Sequence, residues 1–76
     1  MTLVEAVPGV KYEIVSITGE NRHRISQMGF NPGCEIFVSH IGFDSYKVVN
    51  CRGTKVALAK QELSNIIVFE LPFNKV

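Results

Sequence analysis

The chain has 76 residues, of which 46% are hydrophobic, and this predicts one small folded domain. Its formal net charge of +1 argues against nucleic acid or anionic lipid as the partner. No apolar run is long enough to cross a bilayer, and the first residues lack the basic and apolar regions of a secretory signal. We therefore expect a cytoplasmic protein without membrane insertion.

The N-terminal half begins with a short apolar segment and a strand. In residues 2–7, Leu3 and Val7 are expected to lie on one side and close the bottom of a core. Residues 10–18 are rich in β-branched and aromatic side chains, which predicts the first strand. Its alternation is imperfect, so either both faces are partly covered or a bulge shifts the phase.

A short helix follows the first strand. Ile25 and Met28 are three residues apart and share one helical face. Gly29 stands where a left-handed residue ends a helix. Thr18 and Asn21 are both candidates for the N-cap, and the sequence does not choose between them.

The second half of the chain reads as a series of short strands. Five strands with one helix between the first two predict a mainly β fold, a small and partly closed barrel. Pro72 ends the last strand, and residues 72–76 are expected to form a flexible tail. The remaining predicted elements are a turn at 31–33, strands at 34–41 and 46–51, a reversal at Arg52 and Gly53, a strand at 54–59, one 3-10 turn at 60–63, and a strand at 65–71.

An ordered set of short motifs runs along the chain. They are Leu3, Pro8-Gly9, Ile14 and Ile17, the run from Arg24 through Met28-Gly29 and Pro32-Gly33 to Val38, Gly53 with Val56-Ala57-Leu58, and Ile66-Ile67-Val68. Together, over residues 3–69, they resemble the FeoA family of bacterial ferrous-iron transport accessory proteins. Two features depart from the family pattern: the loop at 41–45 has no proline, and Leu63 replaces a frequent alanine.

This resemblance implies both a fold and a partner. It implies a single FeoA-like domain over residues 1–76 with the topology of an SH3-like barrel. It also implies contact with the cytoplasmic face of FeoB, a large membrane transporter that has a GTP-binding domain. A similar module forms the C-terminal domain of metal-dependent repressors of the diphtheria-toxin-repressor type.

The sequence carries none of the common enzyme signatures. It has no phosphate-binding glycine loop, no Gly-x-Ser-x-Gly elbow and no His-Glu-x-x-His motif. The scattered glutamates at positions 13, 20, 62 and 70 are interpreted as solvated charges. We therefore expect a protein that is not an enzyme.

The candidate metal ligands are weak. Cys34, His40 and Cys51 are possible ligands for iron(II), but none has the C-x-x-C or H-x-x-x-H spacing of a dedicated site. Cys34 shares a strand face with Ile36 and Val38, so a small buried hydrophobe is the simpler interpretation. We expect reduced thiols and no resident cofactor, although two cysteines could still form a disulfide.

The apolar surplus suggests a surface for a protein partner. If Ile66 and Val68 face inward, Ile67 and Phe69 point to the other side of the same strand. One small barrel can hardly bury every such side chain, although the lead-in segment and the helix could cover some of them. The hypothetical partner-binding residues are Phe37, Phe43, Ile67 and Phe69, with Arg22 and Arg24 as a basic cluster.

The family resemblance and the residue patterns together suggest three classes of function. The first is a cytoplasmic accessory protein of ferrous-iron uptake that acts by contact with a FeoB-like transporter. The alternative is a metal-sensing module like that of the repressors, which clustering of Cys34, His40 and Cys51 would favour. Nucleic-acid binding is the third class, and the near-neutral charge disfavours it. A homo-oligomer is compatible with the exposed apolar side chains.

Overall fold

The computed structural model describes residues 1–42 and 46–71. The predictions for Phe43 and for the tail at 72–76 lie outside these residues. The elements are a 3-10 turn (Leu3–Glu5), β1 (Lys11–Ile17), α1 (Arg22–Gln27), β2 (Glu35–Ile41), β3 (Lys47–Cys51), β4 (Thr54–Leu58), α2 (Lys60–Leu63) and β5 (Ile66–Glu70).

The five strands form one antiparallel sheet in the order β4-β3-β2-β1-β5. This confirms the prediction of a mainly β fold with five strands and a helix between the first two. The register of β1 against β5 shifts between Ile14 and Ser16, which is the bulge that the broken alternation suggested. A second shift separates Val38 from His40 where β2 pairs with β3.

The sheet is not closed, since β4 and β5 lie at its two edges. The N-terminus covers part of the β5 edge. Met1 and Val68 exchange two hydrogen bonds, with the ammonium group donating at 3.2 Å and the Val68 N–H at 2.8 Å. Thr2 and Ile67 add an isolated bridge. These contacts satisfy backbone groups that an edge strand would otherwise present to solvent.

The N-terminal turn contributes Leu3 and Ala6 to the core rather than Leu3 and Val7. Leu3 is 0% exposed and Ala6 1%, whereas Val7 is 50% exposed, so the prediction that Leu3 and Val7 share a buried side was wrong. A 3-10 turn has three residues per turn, which places Leu3 and Ala6 on the same side. The Val7 N–H donates instead to the Tyr12 hydroxyl at 3.0 Å.

Lys47 fastens this turn to the sheet. Its ammonium group donates to the carbonyl oxygens of Leu3 at 3.2 Å and Ala6 at 2.7 Å, and also to that of Val4. The side chain is only 6% exposed, and burial lowers the pKa of Lys47. A buried cation is tolerated here because carbonyl groups of the turn accept its hydrogen bonds. No local pattern around Lys47 indicates this role.

The segment at 60–63 forms a single α-turn and not the predicted 3-10 turn. Leu63 donates its backbone N–H to the Ala59 oxygen, and Ser64 to the Lys60 oxygen, both at 2.9 Å. These bonds span four residues, which is the α pattern. The Glu62 carboxylate accepts the Ala59 N–H at 3.1 Å and is 6% exposed. Interpreting Glu62 as a solvated charge was therefore also wrong.

Candidate interaction surface and thiol pair

Phe37 and Phe69 lie on the same outer face of the sheet. Phe37 pairs with Lys11 across β1 and β2, and Phe69 pairs with Glu13 across β1 and β5. Lys11 and Glu13 are two residues apart on β1, so their partners project to the same side. Phe37 is 39% exposed and Phe69 45% exposed. This geometry places two exposed aromatic side chains on strands that flank β1.

A row of four residues crosses the outer face around Phe37. The pairings Lys11 with Phe37, Phe37 with Asn50, and Asn50 with Lys55 align these residues over β1 to β4. We call this set the transverse row. Phe37 and Asn50 occupy the middle of the row, and Lys11 and Lys55 occupy its two ends. The sequence did not reveal this arrangement because the four residues come from four different strands.

An open cleft of about 260 Å³ lies along this row. Its lining residues are Lys11, Glu35, Ile36, Phe37, Asn50 and Arg52. Two cations against one carboxylate give the cleft an excess of positive charge. It therefore suits an apolar group with a neighbouring acidic group from a partner.

The β3–β4 turn positions Arg52 beside the cleft. Arg52 has a φ of 54° and Gly53 a φ of 83°, so both central residues are left-handed, as in a type I′ hairpin. The Gly53 N–H also donates to the Asn50 side-chain oxygen at 3.2 Å. Glycine carries no steric penalty at its position, whereas Arg52 adopts a conformation that is uncommon for its residue type.

The predicted basic cluster belongs to a different part of the surface. Arg22 lines a second cleft of about 250 Å³ with Ile17, His23, Ser26, Asn31 and Pro32, none of which lines the cleft at Phe37. Arg24 is held by Glu62, with 2.6 Å between Nη1 and Oε2. The structure thus places the cations Lys11 and Arg52, rather than Arg22 and Arg24, beside Phe37.

Ile67 is less exposed than the two aromatic side chains, and two further exposed apolar residues lie at the β2–β3 connection. Ile66 and Val68 are buried, as the strand pattern predicted, and Ile67 on the opposite face is half-buried. Sequence analysis did not single out Ile41 and Tyr46, which are 52% and 45% exposed. They flank the β2–β3 connection, where the Gly42 N–H donates to the Tyr46 oxygen at 2.7 Å.

Two of the three candidate metal ligands come together. Cys34 and Cys51 are free thiols, 7% and 4% exposed, and both donate to the Gly29 carbonyl oxygen, at 3.6 Å and 3.8 Å. His40 is exposed on β2 beyond the register shift. Within residues 1–42 and 46–71 no group of three or more His, Cys, Asp or Glu side chains could hold a metal ion.

The environment keeps the Cys51 thiol protonated. Burial raises its pKa, as does the neighbouring Cys34 thiol, and the nearby charge of Arg52 opposes these effects. Cys51 thus has little of the thiolate character that makes a cysteine reactive. The burial of Cys34 fits its sequence-based interpretation as a small buried hydrophobe. Cys51 is also buried, and the two sulfur atoms share one acceptor.

The fold and surface define a small antiparallel β module with exposed aromatic side chains. In the part of the chain that the structure describes, no helix has the length and apolar character to cross a bilayer. The FeoA domain model matches residues 1–69, and the chain belongs to this family. The resemblance inferred from the ordered motifs is therefore confirmed. No curated protein sequence is significantly similar to the chain.

Solved structures support the same assignment. A crystal structure of the iron uptake regulatory protein FeoA shares 27% identity and has a TM-score of 0.85, with coverage of 93% of this chain and 97% of the other. The FeoA-like protein of Clostridium acetobutylicum shares 25% identity and has a TM-score of 0.86, with coverage of 100% and 92%.

A third similar solved structure supports the fold class. The zinc complex of Stenotrophomonas maltophilia FeoA, described as a prokaryotic SH3 domain protein, shares 24% identity with a TM-score of 0.79 and coverage of 91% and 89%. This likeness supports the SH3-like topology. The zinc ion belongs to that protein, and Cys34 and Cys51 here do not form a four-ligand zinc site with a third and fourth His, Cys, Asp or Glu among the described residues.

Proposed function

We propose that this protein is a cytoplasmic, non-enzymatic accessory protein of ferrous-iron uptake that binds the cytoplasmic region of a FeoB-like transporter. Membership of the FeoA family supports the link to iron transport. The exposed aromatic surface supports action by contact, because exposed apolar side chains that gather on one face are a feature of protein interaction sites.

The observation that carries the proposal is the exposed Phe37 between two lysines in the transverse row. An aromatic side chain beside a cleft can anchor a partner by excluding water from a small central area. The flanking Lys11 and Arg52 would then select acidic groups at the rim and accelerate association. Arg22 and Ile67 remain predicted contacts at the periphery.

The mechanism is a shift in the conformational equilibrium of the transporter. A bound protein shifts such an equilibrium only if it binds one state more tightly than the other. FeoB, the transporter that the family resemblance implies, has a GTP-binding domain. The nucleotide bound to that domain is therefore a natural determinant of which transporter state binds this protein more tightly. The accessory protein would then need no chemistry of its own.

The experiment is a residue-resolved map of the contact in solution. Backbone amide signals of this 8.5 kDa chain are followed by NMR during addition of the purified cytoplasmic region of the cognate transporter. We expect the largest shifts at Lys11, Phe37 and Asn50, and small shifts along α2. Saturation with shifts confined to α2, or no change at all, would reject the proposed surface.

Metal sensing remains the second candidate function. Its support is the convergence of Cys34 and Cys51 at one carbonyl group, without His40. Iron(II) prefers a larger set of ligands that includes nitrogen or oxygen, so two thiols alone suit it poorly. Addition of ferrous iron under anaerobic conditions in the same NMR experiment separates the two functions, since a sensor binds the metal without the transporter.

A further inference from the structure

The strand register places the two cysteines diagonally rather than directly opposite one another. Phe37 pairs with Asn50, so continuing this register by one residue sets Cys51 opposite Ile36. Cys34 precedes Ile36 by two residues on the same buried face and is therefore diagonal to Cys51. Diagonal positions of an antiparallel pair are about 7–8 Å apart, beyond the usual Cα separation of a disulfide, which is at most about 6.8 Å.

The sulfur atoms nevertheless approach one another. Each lies within 3.8 Å of the Gly29 oxygen, so the two sulfur atoms converge on one acceptor. Zinc–thiolate bonds are about 2.3 Å long, so two bonds of similar length through one metal atom bridge up to about 4.6 Å between sulfurs. A bridging atom removes the need to draw the two strands together.

We propose that Cys34 and Cys51 form a two-coordinate site for a soft monovalent metal ion, Cu(I), with their two sulfur atoms as the ligands. Thiolate sulfur is the ligand that selects Cu(I), and such a site needs no third or fourth protein ligand. Both thiols are buried, which keeps water and oxidants away from the bound ion. This proposal is independent of the proposed contact with a transporter.

The binding step balances as an exchange of protons for metal. Two neutral thiols lose their protons to solvent, and two sulfur–metal bonds form, which gives a bis-thiolate complex of net charge −1. No oxidant or reductant takes part. The guanidinium of Arg52, whose charge already acts on Cys51, offsets the negative charge of the complex. The Gly29 carbonyl loses two donors and remains beside the site.

The test is an anaerobic titration of the reduced protein with Cu(I) against a chromogenic chelator. We expect one equivalent per monomer, and Cys34→Ala and Cys51→Ala should each lower the affinity at least about 100-fold. The matched control is Met28→Leu, which removes a half-buried thioether and leaves both thiols. Zn(II), which prefers four ligands, should bind far more weakly than Cu(I).

A second readout uses the unmodified chain, because the alanine variants could lose their fold. In the wild-type protein, binding should shift the amide signals of Gly29, Cys34 and Cys51 first. Uptake of Cu(I) by the double Cys34→Ala/Cys51→Ala variant, shifts centred elsewhere, or no competition with the chelator would overturn the proposal. So would an unstrained intramolecular disulfide in the folded protein, since it would show that the sulfurs meet directly.

Discussion

The carboxylate of Glu62 joins the two helices through Arg24. Its Oε2 lies 2.6 Å from Arg24 Nη1, and its Oε1 accepts the N–H of Ala59 at the start of α2. The glutamate side chain is 8% exposed, whereas the arginine side chain is 63% exposed. Arg24 therefore neutralises a buried charge from the solvent side, which assigns it a role in folding whatever it does toward a partner.

Removing either partner of this ion pair should destabilise the protein. We expect Arg24→Gln to lower the free energy of unfolding by about 1 kcal/mol, a modest value because the arginine is largely solvated. Glu62→Ala also removes the cap of α2 and should cost about 2 kcal/mol. Urea denaturation measures both, with Arg22→Gln as the control. Equal stability of the Arg24 and Arg22 variants would contradict this role.

Lys47 should be essential for docking the N-terminal turn. Lys47→Met removes the ammonium donor from the carbonyl groups of Leu3, Val4 and Ala6, of which Leu3 keeps the Ala6 N–H, and we expect a loss of about 2–3 kcal/mol. Hydrogen exchange at the amides of the turn should accelerate in the same variant. Lys55→Met, on the exposed edge strand, is the matched control and should change stability by less than about 0.5 kcal/mol.

The stability of the fold should depend on the titration of Cys51. Burial and the neighbouring Cys34 thiol raise the pKa of Cys51. Above the ordinary thiol pKa, the folded state therefore keeps a proton that the unfolded chain releases. The stability from this group is complete below the ordinary thiol pKa of the unfolded chain, and it is lost as the pH rises from there through the raised pKa of the folded state. Between about pH 8 and pH 10 the wild type should lose more stability than Cys51→Ala. Parallel pH profiles would show that the thiol stays protonated in both states or titrates alike in both.

Truncation of Phe30 should be costly. Phe30 is 0% exposed within the hydrophobic core, so Phe30→Ala removes the packing contacts of a buried ring. We expect a loss of about 3–5 kcal/mol, which is enough to unfold many domains of this size. Met28→Ala, at a half-buried position nearby in sequence, should cost less. Thermal denaturation followed by circular dichroism orders the two variants.

The elements that the sequence predicted well are those that local chemistry determines. Gly29 and Gly33 each adopt a φ of 93°, at the helix end and in the turn where they were expected. The alternation of Ile66 and Val68 with their neighbours correctly separated the two faces of β5. Each of these signals lies within a few residues of its consequence.

The missed features depend on contacts between distant parts of the chain. Lys47 reads as an ordinary polar residue in a strand, and its acceptors are 41 to 44 residues away. Phe30 stands alone between a glycine and a turn, so no periodic partner marks it as core. The transverse row was invisible because it takes one residue from each of four strands. Only the strand register brings such residues together.

The central claim is that the outer face at Phe37 binds the cytoplasmic region of a FeoB-like transporter. Calorimetric titration of that region with wild type, Phe37→Ser and Phe37→Leu tests it most directly. We expect saturable binding by the wild type, about tenfold or more weaker binding by Phe37→Ser, and a smaller loss for Phe37→Leu, which keeps an apolar side chain.

The charged residues of the same row provide the control for position. Lys11→Gln should slow association and reduce its dependence on salt, whereas Lys60→Gln on α2 should leave both unchanged. If the nucleotide state of the GTP-binding domain determines how tightly the transporter binds this protein, guanine nucleotide should change the affinity of the wild type. Wild-type affinity in a folded Phe37→Ser variant, or no binding by the wild type, would contradict the proposed contact at Phe37.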